Sequence, residues 1–279
     1  MKLVLRHVFV LAVCAFALFP ILFVVSAAIN PIGTLSSTDL LPNGFGLGNF
    51  ADLFGSDIYP FGRWFFNSVF IALVASFASL LLSMFAAYAF SRMRFAGRRA
   101  GLLALLLIQM FPQFLAIVTI FMIFTRVTEL YPAFGFDTVW GLLLLYLGGA
   151  LGVNTWLMKG FLDTVPKELD EAATMDGATH AQIFWRVIMP LVTPILAVTA
   201  LLAFIGTMSE FLMASVFLRD PESKTLAVGM FGMIAGDNRN ANFGMFAAGT
   251  LLTAIPTVGV FLWLQKYIVS GLTAGAVKG

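Results

Sequence analysis

The sequence predicts an all-α membrane protein with six transmembrane helices, a cytoplasmic helix-turn-helix and both termini in the cytoplasm. Three observations support this fold class. Hydrophobic residues make up 60% of the 279 residues and charged residues only 11%, whereas a soluble domain is about one quarter charged. Six apolar stretches are long enough to cross a bilayer. Lys and Arg are concentrated in the segments that would lie on one side of it.

The six predicted spans approach or exceed the roughly 20 residues that a helix needs to cross about 30 Å of hydrocarbon. They cover residues 8–28, 64–90, 102–124, 139–158, 191–217 and 245–267, within a single domain over residues 1–279. The first span follows Lys2 and Arg6 and ends in Ser-Ala-Ala, as a signal peptide would. Its apolar run is longer than the roughly 7–15 residues of a signal peptide, so we expect an uncleaved span.

The basic residues predict the orientation, because short cytoplasmic loops are enriched in Lys and Arg. Eleven of the 16 lie before span one, between spans two and three, between spans four and five, or at the end of span six and beyond it. This distribution places both termini and the loop 159–190 in the cytoplasm. A net charge of +2 gives no basic field for nucleic acid. The lone Cys14 and the two separated histidines predict neither an internal disulfide nor a metal site.

The loop 159–190 has a pattern of its own, with five acidic residues between two apolar spans. Pro166 suits a first helical position, and good helix formers follow over residues 167–175, with acids near the positive helix start. Asp176-Gly177 then predicts a stop, because Gly adopts the left-handed cap conformation without steric cost. We expect a second helix from about Thr179 to Ile188, ended by Pro190 at the start of span five.

The surface of this helix-turn-helix allows two interpretations. Ala172 and Ala173 are small enough for close approach by a partner, and the bulky residues over 183–188 are too many to hide on one short exposed helix. These features favour a knob that docks into a cleft of a soluble partner. The alternative is an amphipathic hairpin that lies on lipid headgroups.

Several motifs are those of a known family. Glu171-Ala172-Ala173, with Gly177 after three further residues and then Pro190, resembles the EAA loop of binding-protein-dependent ABC importer permeases. Asp176-Gly177-Ala178 is similar to the DGA of that family. Similarity to its carbohydrate branch extends to Phe66-Asn67-Ser68, Trp140-Gly141-Leu142 and Glu210-Phe211-Leu212, and residues 271–279 resemble the tail of MalG-like permeases of the maltose/trehalose type.

The resemblance implies the permease subunit of an ATP-driven sugar importer, for maltose, trehalose or another oligosaccharide, in the bacterial inner membrane. The chain would then couple closure of an ATPase to alternating access. The expected partners are a second, MalF-like permease, two ATPase subunits, an extracytoplasmic sugar-binding protein and membrane lipid, without nucleic acid. No GxxxxGK[ST] phosphate loop occurs, so we expect no enzyme activity and no cofactor here, with ATP and Mg on the ATPase subunits.

The resemblance also assigns roles to particular residues. The ATPase-coupling set comprises Glu171, Ala172, Ala173, Asp176, Gly177, Ala178 and Pro190. The tail residues Gly275, Lys278 and Gly279 would contact the ATPase subunits, and the loop residues Asp237, Asn238, Arg239 and Asn240 would contact the binding protein.

Polar groups in apolar spans are costly and often functional, so Asn154, Ser209 and Glu210 are candidates for the translocation path. Glu210 alternatively caps a broken helix or forms a hydrogen bond between helices or subunits. The resemblance places most sugar contacts in the other permease.

Three other function classes remain as alternatives. The first is an importer permease for another small polar solute, such as glycerol phosphate. The second is a secondary transporter acting alone, which would need charged groups near the middle of the bilayer for ion coupling. The third is an intramembrane enzyme, which would need converging nucleophiles, acids or metal ligands; the sequence has no such motif.

Overall fold

The computed structural model describes residues 2–276, except for the side chains of residues 2, 3, 113, 114 and 269–276. This part of the chain consists of helices and loops and contains no β-strand. The α-helices are α1 (Lys2–Ile29), α2 (Gly48–Gly55), α3 (Phe61–Arg92), α4 (Arg98–Met110), α5 (Gln113–Leu130), α6 (Val139–Gly148), α7 (Val153–Leu162), α8 (Glu168–Met175), α9 (His180–Gln182), α10 (Met189–Met208), α11 (Leu212–Phe217), α12 (Leu226–Ile234) and α13 (Phe243–Ala276). Short 3₁₀ turns cover Leu35–Ser37, Pro132–Phe134 and Gly236–Arg239.

The described residues contain four to six candidate membrane spans. Four uninterrupted helical segments are long and apolar enough: Val4–Ile29, Phe61–Arg92, His180–Met208 and Phe243–Ile268. Two further candidates are bent pairs, α4 with α5 at 101° and α6 with α7 at 53°. The count reaches the predicted six when each bent pair is one span. The cytoplasmic location of the termini stays a prediction.

Three of the predicted spans are interrupted, whereas the sequence analysis treated each as continuous. The span 102–124 breaks at Phe111 and Pro112, because Pro lacks the N–H that would continue the helix. The span 139–158 breaks between Gly148 and Val153, where glycines weaken the helix. The span 191–217 ends its long helix at Met208 and resumes as α11.

The prediction that a helix ends at Pro190 is wrong, since the helix is continuous over His180–Met208. Residues Ile183–Ile188 form a π-helical segment immediately before α10. Proline inside a regular α-helix clashes with the carbonyl group four residues earlier. In the wider π-helical turn the hydrogen bonds run from i to i+5. The carbonyl group four residues before Pro190 therefore does not need the proline N–H, and the helix passes through Pro190.

The chain divides into two compact units. The first comprises residues 1–67 and 220–256 and contains side chains that donate to backbone carbonyls of other segments. The amide of Asn49 donates to the carbonyls of Ala27, Ala28 and Asn30 near the end of α1. The Trp64 indole N–H donates to the Pro221 carbonyl at 2.6 Å.

The second unit comprises residues 68–219 and 257–279 and holds both candidate sites described below. Its apolar core joins α3, α7 and α10 to the segment around the π-helical turn. The buried members are Met84, Ala87, Tyr88, Met158, Leu162, Ile183, Phe184, Ile188, Val192 and Leu196.

Candidate functional site

The first candidate site is the hairpin, here defined as residues 166–188. Its turn is confirmed where the sequence predicts it: α8 ends at Met175, and Gly177 adopts the left-handed conformation with φ of +82°. The returning helix starts at a capping box. The Thr179 hydroxyl accepts from the Gln182 backbone N–H at 3.3 Å, and the Gln182 side chain accepts from the Thr179 N–H at 2.8 Å.

The bulky residues of the hairpin are largely internal, so the expectation that they form its docking surface is wrong for most of them. Ile183, Phe184 and Ile188 are at most 5% exposed. The Phe184 ring packs edge-on against Tyr88 of α3, with 5.0 Å between ring centroids. Among the bulky residues of this segment, Trp185 remains half exposed. Hydrophobic burial therefore holds the hairpin on the ends of α3, α7 and α10.

A buried ion pair provides a second attachment. The Arg92 guanidinium at the end of α3 lies 2.6 Å from an Asp170 carboxylate oxygen in α8, with side chains only 6% and 19% exposed. Arg92 also donates to the Val165 carbonyl at 2.8 Å. In the sequence, Arg92 is only one of the basic residues that indicate orientation, and nothing there predicts this pairing. Because a charge shielded from water needs its partner, α8 and α3 are held in one arrangement.

Asp163, between α7 and the hairpin, ties the same elements together. Its carboxylate accepts from the Ser91 hydroxyl at 2.6 Å and from the Lys159 ammonium at 2.5 Å. Partial burial acts to raise the pKa of Asp163, but the hydrogen bonds from Lys159 and Ser91 outweigh it and lower the pKa below its ordinary value.

The predicted coupling residues fall into two groups. Glu171, Ala172, Asp176, Gly177 and Pro190 are exposed, whereas Ala173 and Ala178 are partly buried against the apolar core. The exposed face of the hairpin also contains two apolar side chains, Leu169 and Met175, and Met175 is 88% exposed. An apolar surface with an acidic edge therefore remains open in the chain.

The other predicted contact segments differ in what the structure describes. Gly275 lies in α13, and Lys278 and Gly279 lie outside the described residues. Asp237, Asn238 and Arg239 are exposed on one 3₁₀ turn. Asn240 has a structural role within the first unit, since its side-chain oxygen accepts from the Ser36 N–H at 3.0 Å and its carbonyl accepts from the Leu35 N–H at 3.1 Å.

The second candidate site is a cavity of about 820 Å³ within the second unit. Asn154 and Glu210, two of the three predicted path residues, line it, and Ser209 does not. The other polar lining side chains are Ser76, Ser79, Gln109, Tyr146 and Thr207. The cavity is bordered by the breaks between α6 and α7 and between α10 and α11.

Glu210 has both of the structural roles that the sequence left open, a helix cap and a hydrogen bond between helices. Its carboxylate accepts from the backbone N–H groups of Met213 and Ala214, at 2.8 and 3.0 Å, and so caps α11. It also accepts from the Tyr146 hydroxyl of α6 at 2.7 Å. Sequence reasoning missed Tyr146, which stands in an otherwise apolar run and gives no local signal of a partner.

The break between α6 and α7 is held by side chains from other helices. The buried Ser83 hydroxyl donates to the Ala150 carbonyl at 2.8 Å. Gly152 lies against the Gln109 side chain so closely that a Cβ there would be 1.7 Å from its amide nitrogen. Non-helical backbone at membrane depth occurs where it is buried in protein or lines a water-filled cavity. In this break Ala150 and Gly152 are buried, and residues 148–152 line the cavity described above.

Comparisons with known proteins agree with the motifs. Residues 79–273 match the family described as "Binding-protein-dependent transport system inner membrane component". The chain is 39% identical over its full length to the galactooligosaccharides transport system permease protein GanQ of Bacillus subtilis (strain 168), covering 96% of that protein. It is 38% identical, again over its full length, to the maltose/maltodextrin transport system permease protein MalG of Yersinia pestis, covering 94% of it.

A solved structure shares the fold. The chain superimposes with a TM-score of 0.79 and 24% identity on a chain of a bacterial ABC transporter involved in the import of the acidic polysaccharide alginate, covering 95% of each chain. At this identity the likeness is one of fold. The family match and the full-length relatives establish the membership: this chain is a multi-pass membrane protein of the binding-protein-dependent transport permeases, on the MalG-like branch.

Proposed function

We propose that the chain is the transmembrane permease subunit of an ATP-driven oligosaccharide importer, in which it couples closure of an ATPase to alternating access. The main support is the attachment of the hairpin. Its exposed face is free for a partner, while its buried face is fixed to α3, α7 and α10 by the apolar core and the Arg92–Asp170 pair. A force applied to α8 would reach three helices together, as rigid-body transitions at an interface require.

The exposed face of the hairpin suits an ATPase subunit as its partner. Leu169, Ala172 and Met175 present apolar surface, and Glu171 and Asp176 lie beside it. A cleft with an apolar floor and a basic edge would complement this face. Most of the bulky side chains that an amphipathic hairpin would bury in lipid headgroups lie in the core, with Trp185 as the exception, which argues against that alternative.

The remaining parts of the proposal follow the family. Each bent helix pair is one span, giving six, with both termini in the cytoplasm. The tail with Gly275, Lys278 and Gly279 contacts the ATPase subunits. Asp237, Asn238 and Arg239 contact a sugar-binding protein on the opposite side. A MalF-like permease completes the path, and the two ATPase subunits hold ATP and Mg.

The substrate class is proposed from the relatives, whose names specify galactooligosaccharides and maltose/maltodextrin. A different small polar solute, such as glycerol phosphate, is the second candidate, since the description of the matching family names no solute.

Purification and reconstitution test the proposal. A mild-detergent preparation of the tagged chain should contain a P-loop ATPase and a second multi-span protein. Proteoliposomes of that complex, with the binding protein outside and ATP inside, should accumulate radiolabelled maltotriose or galactotriose. Accumulation of glycerol 3-phosphate but of neither sugar would contradict the substrate class. Uptake driven by a proton gradient without the ATPase would contradict the coupling.

Two variants of the hairpin test the docking face. The structure leaves open space around the Gly177 Cβ position, so only its left-handed backbone constrains the residue internally. Gly177→Asn tolerates that conformation and should preserve uptake. Gly177→Trp combined with Ala172→Arg fills the exposed face and should separate ATP hydrolysis from sugar uptake. Normal uptake by this double variant would exclude the hairpin as the coupling element.

A further inference from the structure

We propose that the cavity of the second unit is itself a binding subsite for an uncharged segment of the transported oligosaccharide, with the amides of Gln109 and Asn154 as its recognition groups. This inference rests on the proposed function and specifies its substrate class. It also assigns sugar contacts to this chain, whereas the resemblance places most of them in the other permease.

Three helix interruptions meet at the cavity. Phe111, Gly149 and Glu210 all line the cavity, and each belongs to a different interruption. The breaks after α4 and after α6 lie near the middle of the predicted spans 102–124 and 139–158. Interrupted backbone at this depth needs water or polar partners, and transporters place polar solutes at such interruptions. The volume of about 820 Å³ falls in the usual ligand range of roughly 300–1,000 Å³.

Some polar side chains of the cavity lining have hydrogen-bonding capacity that the described protein groups leave unused. Gln109 and Asn154 line the cavity, and their amides form no hydrogen bond with any other described group. Each amide offers donors and an acceptor, which matches sugar hydroxyl groups that both donate and accept. By contrast, the hydroxyls of Ser76 and Thr207 already donate to carbonyls of their own helices. The Ser79 hydroxyl also forms no hydrogen bond with a described group. It and the two amides are therefore the groups available to a solute, and the amides offer more donors and acceptors.

The charge of the cavity lining favours one class of solute. Among the described lining residues, Glu210 is the sole charged type, and Lys, Arg and His do not occur. The Glu210 carboxylate accepts from Tyr146, Met213 and Ala214, so no cation compensates it. A carboxylate in a mostly apolar cavity repels phosphate and uronate groups, because Coulomb interactions are strong at low dielectric. The lining therefore favours a neutral sugar over an acidic glycan or a phosphate ester.

The test uses the complete transporter in proteoliposomes with a saturating concentration of its own binding protein. Because the binding protein is the same in all samples, a change in uptake reports on the permease. Gln109→Leu and Asn154→Leu remove one neutral hydrogen-bonding group each and should lower maltotriose or galactotriose uptake about three- to tenfold. ATPase stimulation by the binding protein and the melting temperature should stay near wild type.

Thr125→Val is the control, since Thr125 is next to the lining residue Phe124 but outside the cavity lining; it should transport like wild type. Wild-type rates in both leucine variants would overturn the subsite. So would faster uptake of glycerol 3-phosphate or a trimannuronate than of the neutral sugars. A wild-type transporter that takes up no sugar at all would instead refute the proposed function, and this inference with it.

A labelling experiment gives a reading that is independent of uptake. The chain has a single cysteine, Cys14, so Cys14→Ser provides a version of this chain without thiols. In that background, Ala203→Cys lines the cavity and leaves both amides in place. It should react with a small water-soluble methanethiosulfonate, and maltotriose with the binding protein under transport-trapping conditions should slow the reaction. Equal labelling with and without sugar would contradict occupancy of the cavity.

Discussion

The attachment of α8 to α3 can be tested by Asp170→Asn, which keeps the side-chain volume and removes the charge. The pair lies at 2.6 Å, with Arg92 6% and Asp170 19% exposed. Removing one partner of a buried pair costs about 3–5 kcal/mol, because the other charge is left without compensation. Asp170 keeps some contact with solvent, and Arg92 keeps its bond to the Val165 carbonyl. We therefore expect the lower end, about 3 kcal/mol.

This loss should fall on α8 and not on the whole protein, because the apolar core holds the rest of the hairpin independently. About 3 kcal/mol corresponds to roughly a hundredfold in the equilibrium between attached and detached α8. In hydrogen-exchange mass spectrometry, amides over residues 168–175 should exchange about a hundredfold faster than in wild type. Peptides from α10 should be unchanged. In proteoliposomes, the amount of sugar accumulated per ATP hydrolysed should fall.

Two controls separate attachment from docking. Glu171→Gln changes an exposed acid of the same helix that forms no ion pair with a described residue, so exchange of α8 should stay as in wild type. The exchanged pair, Arg92→Asp with Asp170→Arg, should restore part of the protection. Unchanged exchange and an unchanged sugar-to-ATP ratio in Asp170→Asn would refute the view that this ion pair holds the hairpin.

Three further predictions concern other contacts. Gly229→Ala places a Cβ 2.3 Å from the buried Trp64 ring. The overpacking should cost about 1–3 kcal/mol and lower the melting temperature. Gly232→Ala, in open space on the same helix, should leave the melting temperature unchanged. Gly152→Ala meets only the flexible end of Gln109, so it should change the melting temperature little but lower sugar uptake as Gln109→Leu does. The pKa of Asp163 in the folded protein lies below the ordinary 3.8. The stabilisation from its carboxylate is therefore complete above pH 3.8 and is lost as the pH falls through the folded pKa. The melting-temperature difference between wild type and Asp163→Asn should be constant from pH 8 to about pH 5 and shrink only in stronger acid.

Local features were predictable from the sequence because their causes are local. Gly177 ends α8 through its own backbone freedom, and the helix formers before it fix residues 168–175. Long apolar runs predicted helices at every span because a bilayer leaves few alternatives for the backbone. The interruption at Pro112 also has a local cause, the missing N–H, which the apolar length of the span 102–124 concealed.

Tertiary pairings could not be predicted in the same way. Nothing near Arg92 in sequence indicates Asp170, and a tyrosine in an apolar run does not identify Glu210 as its partner. The bulky residues of the hairpin required burial, but their number did not say whether a partner or the protein itself supplies it. The continuous helix through Pro190 depends on a π-helical turn, which has no compositional signature.

The hairpin and the cavity are connected through shared helices within the second unit. The helices that hold the hairpin, α3, α7 and α10, also contribute Ser79, Asn154 and Thr207 to the cavity lining. On α3, Ser79 and Met84 of the apolar core are separated by roughly 8 Å along the axis, at 1.5 Å per residue. A helix is stiff over so short a distance, so a displacement of its hairpin end should displace the cavity wall. If ATPase closure moves α8, the proposed sugar subsite must change shape in the same step, and a variant that frees α8 should loosen sugar retention as well as coupling.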